Sequence, residues 1–498
     1  MNPGVGAIVW GRLEQVEVKR RARRAGGQAI GPLPRPSLPA GTDLLPQIRH
    51  IVILMMENHS YDNYLGMLQG RGEGFPLSED GEPQISNLGT GGESVRAHHL
   101  STTVQRPQVP SQSWHASHHQ WGDGMCDGFV TSTQTLVSTA GAAGAAVDAD
   151  AAAAGMGYWS EDDLPFYYGL ARTFPLADHW FSSCLGPTFP NRRFLIAGTA
   201  HGLIDDSPYD LLDYPPAGTI FDMLSRHGIS WINYHSAHKS KFRRYGHHKR
   251  HMARRRLMSL GRSFPAVTKG VQKDLQFTAD VFPLGIGRYM QHVRSTDQFF
   301  ADAANGTLPA FSIVDPDFDA YSEENPQDIR KGESFAAEVI NGVMHGEGWP
   351  HTLLIWAYDE HGGYHDHVPP PPAVPPDDVE GRSLVGSPTR LQAFLRPFFP
   401  GMVKNEENLT EGTSRYDRYG FRVPAVLVSP YARPDYVYSK VLDHTSVLKL
   451  VEEKWNLPAL TARDAAAASP LGALDLTGAP AFLDPPSLPE PKLKWGTW

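Results

Sequence analysis

Two uninterrupted apolar runs, IVILMM and LLIWAY, each stop abruptly at a pair of polar residues. The first run is followed by Glu57 and Asn58, and the second by Asp359 and Glu360. A short continuous apolar run is typical of a strand buried on both faces, as in a parallel sheet. Ligands of open α/β sheets bind at the carboxyl ends of the strands. We therefore expect both polar pairs to converge on one site.

Helical patterns alternate with further apolar runs along the chain. Residues 219–234 fit a helix that stops at Gly228 and leads into a strand, and the same order recurs over 295–319 and 332–363. This alternation predicts an α/β fold, with a mainly parallel sheet flanked by helices. The other elements predicted in this way are a helix leading to a strand over 163–183, a strand over 421–432 and a helix over 443–455.

Composition excludes several classes of protein. The chain has 498 residues, 41% of them hydrophobic and 20% charged, which is ordinary for a globular domain with a sizeable core. A formal net charge of -9 gives no reason to expect a nucleic-acid partner. No apolar run is long enough for a transmembrane span. The only cysteines, Cys126 and Cys184, allow one disulfide but neither a disulfide scaffold nor a cysteine-built zinc site.

The sequence predicts one large domain with a leader and two inserts. Residues 1–45 are expected to be a disordered leader, and residues 46–498 the folded domain. The leader carries a basic cluster but no apolar stretch that would make it an export signal, so we expect a cytoplasmic protein. A low-complexity Ala/Gly insert covers 136–156 and a basic insert covers 239–262. The basic insert is either a solvated segment or a contact for an anionic substrate or membrane surface.

The two polar pairs suit a divalent cation. Carboxylate and amide oxygens are the ligands that Mg²⁺, Ca²⁺ and Mn²⁺ prefer, and added imidazole would also suit Zn²⁺. The alternative is that Glu57 or Asp359 caps the helix that follows it. Two such pairs at comparable positions favour the metal site, because buried unpaired carboxylates are costly.

A nucleophile and acid–base groups are less sharply indicated. Thr188 precedes a Pro-Asn-Arg-Arg turn, and a bound metal would activate its hydroxyl. Arg192 would then hold a phosphate oxygen, although most threonines before such turns are structural. The chain has 22 histidines, and histidine is both a metal ligand and a general acid or base. The candidates are His115, His118, His119, His235, His361, His365, His367 and His444, each of which is as readily a surface or loop histidine.

Several motifs together resemble a known family. They are ILMMENHSYDNYLG, DLPFYYGLARTF, DHWFSSCLGPTFPNRRF, WAYDEHGGYHDHVPPP, RVPAVLVSPYA and DHTSVLKLVEEKW. In this order they resemble the bacterial phosphoesterase family of phospholipases C and acid phosphatases, within the alkaline-phosphatase superfamily. The resemblance spans about residues 48–455 and implies an alkaline-phosphatase-like core. It further implies a metal held by Glu57, Asn58, Asp359 and Glu360, with Thr188 as a nucleophile that also touches the metal.

Two positions depart from the pattern of the resembled family. Gln112 and Asn325 stand where many members carry a histidine that contacts phosphate or assists the leaving group. His115, His118 or His235 would have to compensate, and His235 is the first choice for protonating the leaving alcohol. The other substrate-binding candidates are His361 and His444.

The resemblance implies a metal-dependent phosphoric ester hydrolase of the phospholipase C type that forms a phosphothreonine intermediate. Its substrate would be a phosphate ester or a phospholipid, with peripheral contact to a membrane surface. The alternatives are an acid phosphatase, or a relative that binds phosphate or phospholipid without turnover because both histidines are replaced. Sulfatase or phosphonate chemistry on the same core is a weaker alternative.

Overall fold

The computed structural model describes residues 31–106, 110–140, 153–206, 214–235, 278–282, 289–381 and 415–496. The basic insert over 239–262 lies outside these ranges, as do residues 1–30 of the predicted leader and residues 141–152 of the low-complexity insert.

A six-stranded sheet forms the centre of the fold. Its strand order is β10-β9-β1-β8-β6-β7, and only β10 runs antiparallel to its neighbour. The strands are β1 His50–Met56, β2 Ser86–Leu88, β3 Ser94–Arg96, β4 His98–His99, β5 Gly157–Tyr158, β6 Trp231–His235, β7 Val293–Ser295, β8 Phe311–Asp315, β9 Thr352–Tyr358 and β10 Ala425–Val428. The predicted α/β class with a mainly parallel sheet is confirmed.

Helices cover this sheet. They are α1 Tyr61–Leu65, α2 Trp114–Trp121, α3 Phe129–Ala140, α4 Pro165–Thr173, α5 Thr188–Ala197, α6 Ile220–Arg226, α7 Thr296–Ala304, α8 Ile329–Met344, α9 Thr445–Trp455 and α10 Ala462–Ala466. Helix α8 shows why they pack: Asp328 caps it, and Phe335, Val339 and Ile340 form one buried face against β1 and β9. No helix within the described ranges is both long and apolar enough to cross a bilayer.

Four features of the structure correct or extend the sequence predictions. Residues 31–45, placed in the disordered leader, are ordered: the Gly41 and Leu44 amides donate to the end of α9, at 2.8 and 2.7 Å. The strand expected at the end of 163–183 is absent, since that segment forms only isolated bridges there. Helix α3 extends into the low-complexity insert as far as residue 140. Cys126 and Cys184 are both free and buried, so the allowed disulfide does not form.

The register of the central strands positions the functional residues. Met56 of β1 pairs with Tyr358 of β9, so the polar pairs that follow them emerge side by side. Strand β8 lies on the other side of β1, and its last residue, Asp315, pairs with His235 of β6. Three neighbouring strands therefore deliver acidic groups to one edge of the sheet, as the apolar runs predicted.

Candidate active site

Glu57, Asn58, Asp359 and Glu360 meet at this edge and are all buried. The Asn58 amide donates to Asp359 Oδ1 at 3.2 Å, and the Glu360 amide donates to the same oxygen at 2.8 Å. Asn58 has a φ of 70°, a left-handed conformation that asparagine tolerates better than most residues. One carboxylate oxygen thus ties the two strand ends together and fixes the spacing of their side chains.

The glycine after His361 allows this close approach. Gly362 has a φ of +66°, and a Cβ atom there would lie 1.9 Å from the Asn58 carbonyl oxygen. Its amide donates to Glu360 Oε2 at 2.8 Å. Any side chain at this position would therefore force apart the two loops that carry the polar pairs.

Thr188 faces this group from the first position of α5. Its hydroxyl donates to Asn58 Oδ1 at 3.4 Å, and the residue is buried with 7% of its surface exposed. The loop before it is held by Asn191, which accepts from the Cys184 amide at 3.0 Å and donates to the Gly186 carbonyl at 2.9 Å. Pro190 and Asn191, predicted to form a turn, lie instead in the first turn of α5, where Asn191 holds the loop that presents Thr188 to the strand ends.

Arg192, one turn further along α5, is fully engaged by the protein. Its Nε donates to Asp359 at 2.9 Å and its Nη1 to Asp315 at 2.8 Å. Nη1 also donates to Thr278, and Nη2 donates to the carbonyl oxygens of Met55 and Met56 at 3.4 and 3.3 Å. All five N–H groups thus have protein acceptors, and the guanidinium contacts the carboxylates that follow the strands.

Two of the candidate histidines support the ligand loops. His444 Nε2 donates to the Asp359 carbonyl oxygen at 2.7 Å, while its Nδ1 accepts from Trp180 at 3.4 Å. His361 lies between Glu360 Oε2, 3.3 Å away, and Gln120 Oε1, 2.7 Å away. Burial lowers the pKa of His444, and it lowers that of His361 to about 3, so both rings are neutral near pH 7.

The other candidates lie on β6 and α2. His235 ends β6 beside Asp315, and burial lowers its pKa. His115 is exposed on α2, and His118 hydrogen-bonds the Trp114 carbonyl oxygen at 2.8 Å. Trp114 packs on Gly186, where a Cβ would lie 2.9 Å from its ring, so α2 adjoins the nucleophile loop.

The site carries more negative charge than its single guanidinium balances. Burial raises the pKa of Glu57 well above its usual range, and Glu324 and Asp359 raise it further. Burial and Asp359 act in the same way on Glu360. Within the described part of the chain, Glu57 Oε2 and Glu360 Oε1 are buried and accept no hydrogen bond. Unpaired buried carboxylate oxygens beside an amide oxygen and a hydroxyl fit a hard divalent cation.

A second acidic group has a different explanation. Asp62, Asp366 and His367 present ligand atoms within 4.8 Å of one another. Arg422 lies among them, with Nη2 3.1 Å from Asp62 and Nε 3.0 Å from Asp366. The cation that this group requires is therefore already supplied by a side chain. His365 and His367, both among the candidates, belong to this structural network, and His367 donates to Asp62 at 2.7 Å.

Sequence reasoning missed a buried carboxylate, Glu323, that holds the neighbouring elements together. It accepts hydrogen bonds from Tyr167 at 2.6 Å, from Tyr64 at 2.8 Å and from Tyr358. These three tyrosines come from α4, α1 and β9, so one side chain joins three elements. In the sequence, Glu323 stands out only as part of the acidic stretch before Asn325. That position does not predict hydrogen bonds from three tyrosines.

Glu323 makes stability depend on pH. Burial raises its pKa to about 8, against the opposing effect of the tyrosine hydroxyls. Its stabilising contribution is complete below the ordinary glutamate pKa and is lost as the pH rises through about 8, because unfolding then releases a proton. Between about pH 5 and pH 8 the unfolding free energy falls with a slope that reflects the protons released on unfolding. We expect Glu323→Gln to reduce this slope by the equivalent of about one proton. Urea titrations at several pH values measure this slope. The exposed Glu338→Gln is the control, and an equal flattening in both variants would contradict the assignment.

The sequence profile of the Phosphoesterase family matches residues 48–458, a stretch that contains the whole site. The chain belongs to the phosphoesterase family. It is accordingly a hydrolase that acts on phosphoric ester bonds, as the resemblance predicted.

This phosphoesterase is also similar to several characterised proteins over nearly its full length. It is 27% identical to phospholipase C B of Mycobacterium tuberculosis over 480 residues, which are 90% of this chain and 80% of that protein. It is 28% identical to the non-hemolytic phospholipase C of Pseudomonas aeruginosa, covering 90% of this chain and 59% of that protein. It is 26% identical to non-specific phospholipase C1 of Arabidopsis thaliana, covering 91% and 75% respectively. The similarity to phospholipases C therefore extends across bacterial and plant proteins.

Proposed function

We propose that this phosphoesterase is a metal-dependent hydrolase of the phospholipase C type, with Thr188 as its nucleophile. The observation that carries the proposal is the position of the Thr188 hydroxyl, 3.4 Å from Asn58 Oδ1, at the strand ends where Glu57 and Glu360 each have a buried oxygen that accepts no hydrogen bond from the described residues. A hydroxyl placed there has oxygen ligands beside it that suit a hard cation.

Glu57, Asn58, Asp359 and Glu360 would hold the cation, with the Thr188 hydroxyl beside it. When bound, a divalent cation lowers the pKa of a neighbouring hydroxyl and neutralises charge on phosphate oxygens. The protein supplies the rest of the arrangement. Helix α5 places Thr188 at its N-terminus, where the helix dipole favours negative charge on the attacking oxygen.

The chain's own residues keep this geometry fixed. Arg192 holds Asp359 and Asp315, and His444 holds the Asp359 main chain, so the ligand carboxylates are oriented before substrate arrives. The sequence predicts that Arg192 holds a phosphate oxygen, but its donors already bind protein acceptors, which favours a positioning role. Thr188 would attack phosphorus in line with the leaving oxygen, forming a phosphothreonine ester that water then hydrolyses.

The candidate histidines have different roles in this proposal. The sequence predicts that His235 protonates the leaving alcohol, but burial lowers its pKa, which disfavours the protonated form that this role requires. His115 and His118, on the helix that packs on the nucleophile loop, remain proposed contacts for the substrate. His361 and His444 support the ligand loops, so we assign them no direct contact with substrate.

For the substrate, we propose a phospholipid, a phosphodiester. All three relatives named above are called phospholipases C, which favours a diester over a monoester. An acid phosphatase is the alternative with the same nucleophile and metal. A protein that binds phosphate or phospholipid without turnover is the third possibility, since Gln112 and Asn325 replace two histidines.

Hydrolysis of two chromogenic esters distinguishes these functions. Purified protein is incubated with p-nitrophenyl phosphorylcholine, a diester, or p-nitrophenyl phosphate, a monoester, after chelation and after readdition of Mg²⁺, Ca²⁺, Mn²⁺ or Zn²⁺. We expect turnover of the diester that chelator abolishes and one of these metals restores. Preference for the monoester would favour the phosphatase. Binding of either ester with no hydrolysis at any metal or pH would favour the binding protein.

A further inference from the structure

Leu88 and Met125 are the two most exposed large apolar side chains among the described residues, with 58% and 74% of their surfaces accessible. Leu88 ends β2, and Met125 lies in the turn that follows α2. The buried side chain of Asn87 joins these two segments. It donates to the Cys126 carbonyl oxygen at 3.2 Å and accepts from the Phe129 amide at 3.1 Å. Two distant parts of the chain therefore present their exposed apolar side chains at one place.

The turn that carries Met125 has a fixed conformation. The Met125 amide donates to the Gly122 carbonyl oxygen at 3.1 Å. Asp123 and Cys126 have φ values of 55° and 52°, a left-handed conformation that is uncommon for residues other than glycine. Such conformations cost free energy and persist only where the surrounding structure holds them. The turn thus keeps Met125 in solvent, although burial would stabilise a methionine side chain.

An open cavity of about 540 Å³ adjoins the two apolar side chains. Leu88 lines it, and so does Gly122, where a Cβ atom would lie 3.9 Å from the Met125 Cβ. The exposed residues Asp123 and Asp127 line it as well. We call Leu88, Met125 and these two aspartates the apolar–acidic surface.

The charges around this surface favour a cationic partner. Apart from two histidines and the two aspartates, the side chains that line the cavity carry no charge. Glu93 adds a third carboxylate, since a Cβ atom on Gly89 in the cavity wall would lie 1.9 Å from its Oε1. One arginine opposes them: the Arg418 guanidinium stacks on Trp121, 4.4 Å from the centre of the ring. Three carboxylates thus outnumber one guanidinium.

The apolar–acidic surface is connected to the nucleophile loop by packing. Cys126 and Phe129, the two residues held by Asn87, lie in one buried apolar cluster with Leu185. Leu185 is three residues before Thr188. A partner bound at the surface would therefore contact the structural unit that carries the nucleophile.

We propose that the apolar–acidic surface docks the enzyme onto a zwitterionic phospholipid layer whose choline groups face the solvent. The choice of partner rests on the proposed function, and the proposal adds the place where enzyme and substrate layer meet. Leu88 and Met125 insert between the head groups, where apolar side chains leave water. The carboxylates lie beside the trimethylammonium groups, whose positive charge complements theirs.

The small size of the apolar part favours a lipid layer over a second protein. A stable protein–protein interface buries roughly 1,200 Å² or more, which two side chains do not supply. Insertion into a lipid layer has no such threshold, because each inserted side chain adds its own transfer free energy.

Vesicle binding in the presence of EDTA tests the docking surface without turnover. We expect the wild type to sediment with phosphatidylcholine vesicles, and Leu88→Gln/Met125→Gln to bind them about 10-fold or more weakly. With metal restored, this variant should hydrolyse soluble p-nitrophenyl phosphorylcholine at the wild-type rate, because neither side chain touches the site. Met290→Gln/Leu483→Gln, which replaces side chains 53% and 50% exposed, is the matched control and should bind vesicles like the wild type.

A second variant tests the acidic part of the surface. Asp123→Asn/Asp127→Asn removes two charges and keeps the shape of both side chains. We expect the wild type to prefer phosphatidylcholine vesicles to phosphatidylglycerol vesicles, and this variant to bind the anionic vesicles several-fold more tightly than the wild type does. Equal binding of both proteins to phosphatidylglycerol would contradict the assigned role of the carboxylates.

Other outcomes overturn the proposal as a whole. Unchanged vesicle binding by Leu88→Gln/Met125→Gln would do so, as would an equal loss in the control pair. A wild-type dimer in light scattering that this variant makes monomeric would show that the surface binds a second copy of the chain. Hydrolysis of the soluble ester by a wild type that binds no vesicles would refute the docking alone. Vesicle binding without hydrolysis of any ester would refute the proposed function and leave the docking surface standing.

Discussion

Replacement of Thr188 by alanine should abolish turnover, with a loss on the order of 1,000-fold or more in kcat. The reason is chemical, because Thr188 supplies the oxygen that bonds to phosphorus and no other hydroxyl is hydrogen-bonded to Asn58 among the described residues. The fold should survive, since the Thr188 side chain makes this one hydrogen bond and α5 is anchored by Asn191 and Arg192. Initial rates on p-nitrophenyl phosphorylcholine measure the effect.

Two controls test whether the loss of activity comes from the missing nucleophile. Thr188→Ser keeps a hydroxyl at the same position and should retain most of the activity. In the wild type, acid quenching during turnover should leave a phosphoryl adduct on the tryptic peptide that contains Thr188, detectable by mass spectrometry. Full activity in Thr188→Ala, or an adduct on another residue, would refute the assigned nucleophile.

Replacement of Arg192 by methionine should strongly destabilise the fold. It would leave Asp315 and Asp359 buried without the guanidinium that now lies 2.8 and 2.9 Å from them. Removing one partner of a buried ion pair costs about 3–5 kcal/mol of unfolding free energy. The remaining carboxylates should then bind a divalent cation more tightly, because its charge replaces that of the lost arginine. Chemical unfolding with chelator and with added metal measures both effects.

Arg422→Met is the matched comparison for this experiment. Arg422 is also buried between two carboxylates, Asp62 and Asp366, at 3.1 and 3.0 Å. We expect a similar loss of stability, about 3–5 kcal/mol, with no added recovery from metal because its carboxylates lie outside the proposed cation site. An equal recovery of both variants by metal would mean that the two acidic groups are not distinct. A raised KM for Arg192→Met with unchanged stability would favour direct contact between Arg192 and phosphate.

The sequence was most informative about the buried strands, because burial on both faces selects a continuous run of apolar residues. The continuous apolar runs predicted β1 and β9, and the polar pairs after them are adjacent because parallel register makes them so. The roles of Arg192 and His444 could not be obtained in the same way. Whether a buried arginine faces a substrate or a carboxylate depends on packing between distant segments, here between α5 and the ends of β8 and β9.

Long-range contacts also explain the features that were missed. Glu323 accepts hydrogen bonds from tyrosines of three elements, a grouping that no local pattern encodes. The end of the predicted leader resembled a solvated tail because it is rich in proline. Its contacts with α9 are made largely by main-chain groups, which leave no signature in the choice of side chains.

The strands that carry the site, β9, β1 and β8, all lie inside the sheet, each with a partner strand on both sides. Fraying at the outer strands β10 and β7 leaves the hydrogen bonds between these three intact. Amide hydrogens in their ladders, such as those of Ile53 and Ile355, therefore exchange with solvent through opening of the whole domain and not through local fluctuation. The chemistry is thus tied to the most slowly exchanging part of the molecule, so that heating should end catalysis and folding in a single cooperative event.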